Sequence, residues 1–305
     1  MAEASRLIDR LASPLTAREI ERSLSASGKS LDEHTLALSA EVFALHVPPR
    51  PPPGGYGLLV FVPPWNDARL PAGWDAVLDR FGVIFVSAAG SGNDANVLAR
   101  REPLALIAAR NLTRLYAINP AHVYVGGFSG GAHVALRLAL AYPDVFTGAI
   151  LDAGADPIGD HDAPIPSPEL FARFQSATRL FLVTGSQDQA RLNMDTDSLS
   201  SLARWCVGGA VADQIANAGH QIADPATLAT ALRVLQLPVK IAARRQAACR
   251  AGIDKDLAKA FSGVEAFAAA GRLAEARKAL IALDARFGGL AAPKSVELAN
   301  ALRVQ

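Results

Sequence analysis

Between about residue 41 and residue 238 the chain alternates short apolar runs with longer segments of helical periodicity, separated by loops rich in Gly, Pro, Asn and Asp. The apolar runs are Leu58–Val62, Val83–Val86, His122–Val125, Gly148–Leu151 and Leu180–Val183. The helical segments are Pro71–Arg80, Pro103–Tyr116, Ala132–Tyr142, Asp195–Val207 and Pro225–Leu235. Runs that are apolar on both faces are typical of parallel strands covered by helices. The alternation therefore predicts an α/β fold, with a mostly parallel, doubly wound sheet, helices on both faces and functional loops at the C-terminal strand ends.

Composition divides the chain into three parts. Residues 1–40 mix charged and apolar residues at helical spacing, which predicts an N-terminal helical extension before the α/β domain at residues 41–238. Residues 239–305 are rich in Ala, Arg and Lys, and Ala266–Phe287 predicts two amphipathic helices around a turn at Gly271. We interpret residues 239–305 as a C-terminal helical appendage packed on the main domain. The alternative is a hairpin that binds a partner or forms a homodimer.

Charge and composition exclude several kinds of partner. The 30 Lys and Arg residues against 29 Asp and Glu leave a net charge of +1, without the basic surplus of nucleic-acid-binding domains. No uninterrupted apolar stretch reaches the ~18 residues of a membrane span, so we expect neither a nucleic acid nor a membrane as partner. The first ten residues lack the apolar core of a secretory signal, which predicts a cytoplasmic protein, or a periplasmic or secreted one if a signal was trimmed. In the cytoplasm, Cys206 and Cys249 are expected to be reduced thiols.

The strongest local motif is G-x-S-x-G at residues 127–131, which follows an apolar run and precedes an apolar helical segment. This is the context of a nucleophile elbow, a sharp turn that lifts a serine hydroxyl clear of the sheet. Gly127 and Gly131 leave room where a Cβ would clash, and the following helix directs its N-terminal amides at developing negative charge. Ser129 is therefore the candidate nucleophile.

A serine hydroxyl needs a base that takes its proton. The chain order serine, acid, histidine leaves His161 and His220 as candidates. His220 is favoured because it lies in a Gly-His loop before the last helical segment, whereas His161 is expected to be solvated or to face the substrate. Asp188 follows an apolar run and a glycine turn, where it would orient the His220 ring. The competing carboxylates are Asp152, Asp195 and Asp197.

Stabilising the negative charge of an acyl-transfer intermediate requires two backbone donors, which form an oxyanion hole. The N–H of Gly130, directly after the candidate nucleophile, is the first. The second should come from the loop after Leu58–Val62, where positions 63 and 64 are prolines and cannot donate. Trp65 is therefore the expected second donor, with Asn66 next in order. The side chains expected to bind substrate are Trp65, Asn66 and Phe128.

Three other clusters have ordinary interpretations. Gly90–Asp94 contains G-x-G but lacks the third glycine of a dinucleotide-binding turn. The aspartates and His161 within residues 156–162 match no metal-binding spacing and are expected in a solvated loop beside the site. Arg100 and Arg101 could steer an acidic substrate, but as a pair at the start of a helix they are expected to face solvent. We therefore expect no cofactor and no metal.

The elbow, acid and base in this order resemble those of the α/β-hydrolase superfamily, and the central part is similar to its poly(3-hydroxybutyrate) depolymerase and carbohydrate-esterase-like branch. The segments that carry the resemblance are Val60–Asn66, Pro71–Leu78, Gly90–Asn93, Ala117–Gly131 and Thr184–Asp188. The resemblance covers about residues 40–238 and implies the α/β-hydrolase fold. It also implies hydrolysis of a carboxylic ester, small or oligomeric, through an acyl-enzyme. Two alternatives remain: a serine peptidase of the prolyl-oligopeptidase type, and a catalytically silent module that acts through its helical tail.

Overall fold

A computed structural model describes residues 10–29, 36–238 and 243–304. Seven strands form one sheet in the order β1-β3-β2-β4-β5-β6-β7. The strands are β1 Phe43–His46, β2 Tyr56–Val62, β3 Val83–Ala88, β4 Ile118–Phe128, β5 Gly148–Asp152, β6 Arg179–Gly185 and β7 Ala210–Ile215. Only the edge strand β1 pairs antiparallel, with β3, and the other described pairs are parallel.

Ten α-helices flank and extend this sheet within the described part of the chain. They are α1 Pro14–Ala26, α2 Trp74–Phe81, α3 Glu102–Leu115, α4 Gly130–Ala141, α5 Pro168–Ala177, α6 Gln189–Arg204, α7 Pro225–Leu235, α8 Ala243–Ala269, α9 Leu273–Phe287 and α10 Lys294–Leu302. One buried cluster joins strand residues to α3, α4 and the C-terminal helices, and a second joins them to α2 and α7. The mostly parallel sheet with helices on both faces confirms the predicted α/β fold with a doubly wound sheet.

The continuous apolar runs mark the strands at the centre of the sheet. Every residue of β2, β3, β5 and β6 is buried, as expected for strands covered on both faces. The sequence analysis named no apolar run for β1 or β7, the two edge strands. Their residues are mostly half-buried or exposed, so neither carries a continuous apolar run.

Helix α6 begins six residues before its predicted start at Asp195. Asp188 caps this helix, because its side chain accepts a hydrogen bond from the backbone N–H of Arg191. The polar first turn, Gln189 to Leu192, carries little apolar periodicity, so the local pattern does not indicate a helix there. The shift has a functional consequence, since it places a carboxylate at a helix N-terminus, where negative charge is stabilised.

The N-terminal and C-terminal helices pack against each other and against the sheet region. The backbone N–H of Leu15 in α1 donates to the Asp284 carboxylate in α9, 3.1 Å away. The ring of Phe287 in α9 packs edge-on against Trp205, with centroids 6.0 Å apart. The predicted turn at Gly271 separates α8 from α9. The division of the chain at residues 40 and 238, and a homodimer through the C-terminal helices, stay predictions.

Cys206 and Cys249 form a disulfide, so the expectation of two reduced thiols is wrong. Helix α8 carries Cys249 alongside Cys206, which directly follows α6 and the cap residue Trp205. Their Cα atoms lie 5.9 Å apart, a separation that a disulfide spans. The pairing depends on how α8 packs, which the spacing of two cysteines along the chain does not reveal. The bridge attaches the C-terminal helices covalently to the end of α6.

No helix in the described part of the chain combines the length and apolar character needed to cross a membrane.

Candidate active site

Ser129 occupies a strained turn between β4 and α4. Its backbone has φ 54° and ψ −122°, a conformation that residues other than glycine rarely adopt. The backbone N–H of Ser129 donates to the carbonyl of Asp152 at the end of β5, 2.7 Å away, which holds the turn over the strand ends. A Cβ on Gly127 would collide with the backbone of Gly131, and a Cβ on Gly131 would collide with the carbonyl of Val62. The turn is thus possible only with glycine at both flanking positions.

Ser129, His220 and Asp188 form one continuous hydrogen-bonded chain. The Nε2 atom of His220 lies 3.0 Å from Ser129 Oγ, and its Nδ1 atom lies 2.6 Å from Asp188 Oδ2. Ser129 is only 7% exposed, whereas the side chain of His220 is 41% exposed, so the site is reached from the histidine side. A neutral ring that donates from Nδ1 to Asp188 presents the Nε2 lone pair to the serine hydroxyl. The arrangement can take a proton from Ser129 as the oxygen attacks an electrophile.

Asp188 makes two contacts at once, one through each carboxylate oxygen. Its Oδ1 atom accepts the N–H of Arg191 and caps α6, while its Oδ2 atom faces the His220 ring. The cap fixes the carboxylate in place, since rotation of the side chain would break both contacts. The competing carboxylates lie elsewhere: Asp195 accepts from the Thr184 hydroxyl at 2.7 Å, and Asp197 is exposed.

The loop that carries His220 is clamped three residues further on, at Ala223. The Ala223 N–H donates to the Asp152 carboxylate at 2.7 Å, and its carbonyl accepts from the indole N–H of Trp74 at 2.9 Å. Both side chains are buried. Burial raises the pKa of Asp152 to about 8, so it is protonated at neutral pH. Asp152, considered above as a candidate acid, therefore positions the histidine loop, as does Trp74, which the sequence analysis did not single out.

Two loops form the side of the site where the oxyanion hole is expected. Gly130 begins α4, and Trp65 lies in the loop after β2. Asn66 ties this loop to the one after β3, because its Oδ1 accepts the Gly92 N–H at 3.0 Å and its amide nitrogen donates to Asp94 at 3.1 Å. Both ends of the Asn66 side chain are thus engaged by the protein. The N–H donors of Gly130 and Trp65, and substrate contact by Asn66, stay predictions.

Arg101 is buried beneath these loops, contrary to the expectation that it faces solvent. Its guanidinium donates to the carbonyls of Ser91 at 2.9 Å and Pro63 at 3.0 Å, one in each loop. It is 3% exposed, and burial lowers its pKa. Arg100 likewise donates to the Gly90 carbonyl at 2.6 Å and pairs with Glu41. The two arginines lie at the start of a helix in sequence, but their side chains donate to the carbonyls of the adjacent loops instead of extending into solvent.

Aromatic rings line the approach to His220. The Phe128 ring lies 5.0 Å from the His220 ring and 6.3 Å from Trp65, measured between centroids. Trp65 rests on Phe61 at 6.4 Å, and the guanidinium of Arg69 stacks 4.3 Å above its indole. Phe128 and Trp65 therefore form one wall beside the candidate base. Their contact with a substrate stays a prediction.

The loop after β5 divides into an engaged part and a solvated part. Asp156 pairs with His133 of α4, with 2.5 Å between Oδ2 and Nδ1. The side chains of His161 and Asp162 are more than four-fifths exposed. Among residues 10–29, 36–238 and 243–304, no group of three or more His, Cys, Asp or Glu side chains is arranged to hold a metal ion.

No family model and no curated protein matches this sequence. Solved structures of similar shape include an S-formylglutathione hydrolase from Staphylococcus aureus, 12% identical, which covers 64% of this chain and 91% of that one at a TM-score of 0.49. An acetyl xylan esterase from Aspergillus awamori is 13% identical, with 65% and 94% covered and a TM-score of 0.49. An α/β hydrolase from a Medee basin deep-sea metagenome is 15% identical, with 68% and 96% covered and a TM-score of 0.49. The function of this chain has to be inferred from its own site.

Proposed function

We propose that this chain, which has the α/β-hydrolase fold, is a serine hydrolase that cleaves carboxylic esters through an acyl-enzyme. The observation that carries the proposal is the unbroken chain from Ser129 Oγ through His220 to Asp188, with 3.0 Å and 2.6 Å between the bonded atoms. This arrangement matches in role and order the triad that activates serine in acyl transfer. Its assembly on a strained elbow also argues against a catalytically silent module, because strain of this kind is retained where it serves a site.

In the first half of the reaction, Ser129 Oγ attacks the ester carbonyl carbon while His220 Nε2 takes the hydroxyl proton. Asp188 stabilises the imidazolium that forms and keeps the ring oriented. The negative charge that develops on the carbonyl oxygen is expected to accept hydrogen bonds from the N–H groups of Gly130 and Trp65. Collapse of the tetrahedral intermediate breaks the carbon–oxygen bond to the alcohol, which leaves with the proton from His220.

In the second half, a water molecule attacks the acyl-enzyme and gives a proton to His220 Nε2. The second tetrahedral intermediate collapses with Ser129 Oγ as the leaving group, and His220 returns the proton to it. The acid is released and the free enzyme is regenerated. The three side chains and two backbone amides supply every group that this sequence of steps uses, and water is the only co-substrate.

The test is a comparison of esters and amides in matched variants. Wild-type protein should hydrolyse p-nitrophenyl acetate and butyrate, and should cleave aminoacyl p-nitroanilides far more slowly. Ser129→Ala and His220→Gln should abolish ester turnover, and Asp188→Asn should lower kcat by up to about 10⁴-fold because the ring tautomer is no longer fixed. Faster turnover of the anilides would favour the peptidase alternative. Ester turnover that survives in Ser129→Ala would refute the proposal.

The disulfide bears on the compartment. The N-terminal residues predict a cytoplasmic protein, but disulfides persist mainly in oxidising compartments. We therefore propose that the chain works in an oxidising compartment. Its substrate is proposed to be a small or oligomeric ester. Fractionation of cells into cytosol, periplasm and culture medium, with each fraction probed for the chain, would locate it. Confinement to the cytosol would contradict this proposal.

A further inference from the structure

A second polar chain runs beside the nucleophile. The His133 ring contacts the Asp156 carboxylate through Nδ1 at 2.5 Å and the Arg191 guanidinium through Nε2 at 3.4 Å. A guanidinium only donates hydrogen bonds, so Nε2 of His133 must be the acceptor. The ring proton is then on Nδ1, which donates a hydrogen bond to the Asp156 carboxylate. His133 therefore holds the Arg191 side chain in a defined position.

Three connections place this guanidinium next to the catalytic chain. His133 follows Ser129 by four residues on α4, about 6 Å along the axis, and helical side chains lean toward the N-terminus. The backbone N–H of Arg191 donates to Asp188 Oδ1, the carboxylate that caps α6. The Arg191 side chain also passes over the backbone just after β5, since a Cβ placed on Gly154 would lie 3.0 Å from Arg191 Cδ.

The positive charge of Arg191 has no direct anionic partner among the described residues. Within the described part of the chain, its guanidinium makes hydrogen-bond contacts with His133 and with the sulfur of Met194, 3.2 Å away. The nearby carboxylates are already engaged: Asp156 with His133 and Asp188 with His220. The remaining nearby carboxylate, Asp195, is engaged by the Thr184 hydroxyl, 2.7 Å from its Oδ2; burial raises its pKa, and the charge of Arg191 acts in the opposite direction.

Arg191 is half-buried, and partial burial of a guanidinium costs free energy unless an anion accepts hydrogen bonds from its N–H groups. Its planar fork matches the two oxygens of a carboxylate better than any neutral group. We propose that Arg191, positioned by His133, binds a free carboxylate on the substrate. The preferred substrates are then esters that carry a carboxylate a few bonds from the scissile carbonyl, such as half-esters of dicarboxylic acids or acid-ended oligomers. This inference rests on the proposed ester hydrolysis.

The kinetic test uses two esters of equal chain length, p-nitrophenyl hexanoate and mono-p-nitrophenyl adipate. The measured quantity is the ratio of kcat/KM for the adipate to kcat/KM for the hexanoate. Arg191→Gln should lower this ratio by about 10- to 100-fold, the range expected for a lost charged hydrogen bond. Arg191→Lys keeps the charge without the fork and should give an intermediate ratio. The matched control Arg110→Gln, an exposed arginine on α3, should leave the ratio unchanged.

The inference is overturned if the ratio in folded Arg191→Gln equals that of wild type, or if Arg110→Gln lowers it as much. Calorimetric titration of adipate into the Ser129→Ala variant separates this failure from failure of the proposed function. Should neither ester be hydrolysed, the proposed function fails. In that case, adipate binding to Ser129→Ala that is lost in the Ser129→Ala, Arg191→Gln double variant would support the anion site by itself. Absence of adipate binding to Ser129→Ala would overturn the anion site. Arg191→Lys substitutes for Arg191→Gln in both measurements if the latter does not fold.

Discussion

Replacing Arg101 by methionine should damage catalysis more than binding. The guanidinium donates to the carbonyls of Pro63 and Ser91, 3.0 Å and 2.9 Å away, and so joins the loop that carries Trp65 to the loop after β3. A hydrogen bond to a charged group contributes about 1.5–3 kcal/mol, and two are lost. Because the buried cation and its desolvation cost are lost as well, we expect the free energy of unfolding to fall by about 2–4 kcal/mol.

The effect on catalysis follows from displacement of the loop that carries Trp65, which the Arg101 guanidinium no longer holds. Removing one oxyanion donor lowers kcat by about 10²–10³-fold, so displacement of the Trp65 amide should lower kcat by about 10²-fold while KM changes little. The assay is kcat and KM for p-nitrophenyl butyrate, together with the inhibition constant of a trifluoromethyl ketone that mimics the tetrahedral intermediate. Its affinity should fall in parallel with kcat. Arg110→Met, an exposed arginine on α3, is the matched control. A folded Arg101→Met with kcat within threefold of wild type, or with a raised KM alone, would refute this account of Arg101.

Three further predictions concern stability and the elbow. Reduction of the Cys206–Cys249 bridge opens a constraint spanning 43 residues; urea unfolding should show a loss of about 4 kcal/mol, and superimposable curves with and without reductant would contradict it. The pKa of Asp152 is raised to about 8 by burial, so the folded state keeps a proton that the unfolded chain loses. The Asp152 contribution to stability should therefore fall as pH rises from about 4 to about 8, by up to about 1.4 kcal/mol per pH unit, so wild type should lose more stability over this range than Asp152→Asn. Equal slopes in the two proteins would refute the assignment. Gly131→Ala places a Cβ against the Val62 carbonyl, so ester turnover should fall at least tenfold, whereas Gly263→Ala, in open space on α8, should leave it unchanged.

The central strands and the elbow could be predicted because their signals are local. A buried parallel strand is apolar on both faces, and a G-x-S-x-G turn between such a strand and a helix has one dominant structural meaning. The chain order serine, acid, histidine then selected Asp188 and His220 from several candidates. The structure brings Ser129, Asp188 and His220 together within hydrogen-bond distance.

The supporting residues could not be predicted, because their partners are remote in sequence. Trp74 and Asp152 meet at Ala223, which is 149 and 71 residues away from them. Arg101 reaches a carbonyl 38 residues earlier, so its role is invisible in a pattern that marks it only as a basic residue at a helix start. Which groups a buried polar side chain satisfies is decided by tertiary packing.

The same limit applies to the disulfide and to the edge strands. Cys206 and Cys249 pair across 43 residues through the packing of α8. Strand β7, in contrast, is recognised only by its register with β6, since Val211 to Gln214 are exposed and carry no strand periodicity of buried residues. Neighbours in space, rather than the local pattern, determine both features.

The central claim is that Ser129 is a nucleophile activated by His220. The most direct measurement is labelling with a fluorophosphonate, which reacts only with an activated serine, followed by mass spectrometry of the labelled peptide. We predict one covalent adduct on Ser129 in wild-type protein, strongly reduced labelling in His220→Gln and none in Ser129→Ala. Folded wild-type protein that carries no adduct, or an adduct on another serine that persists in Ser129→Ala, would contradict the account.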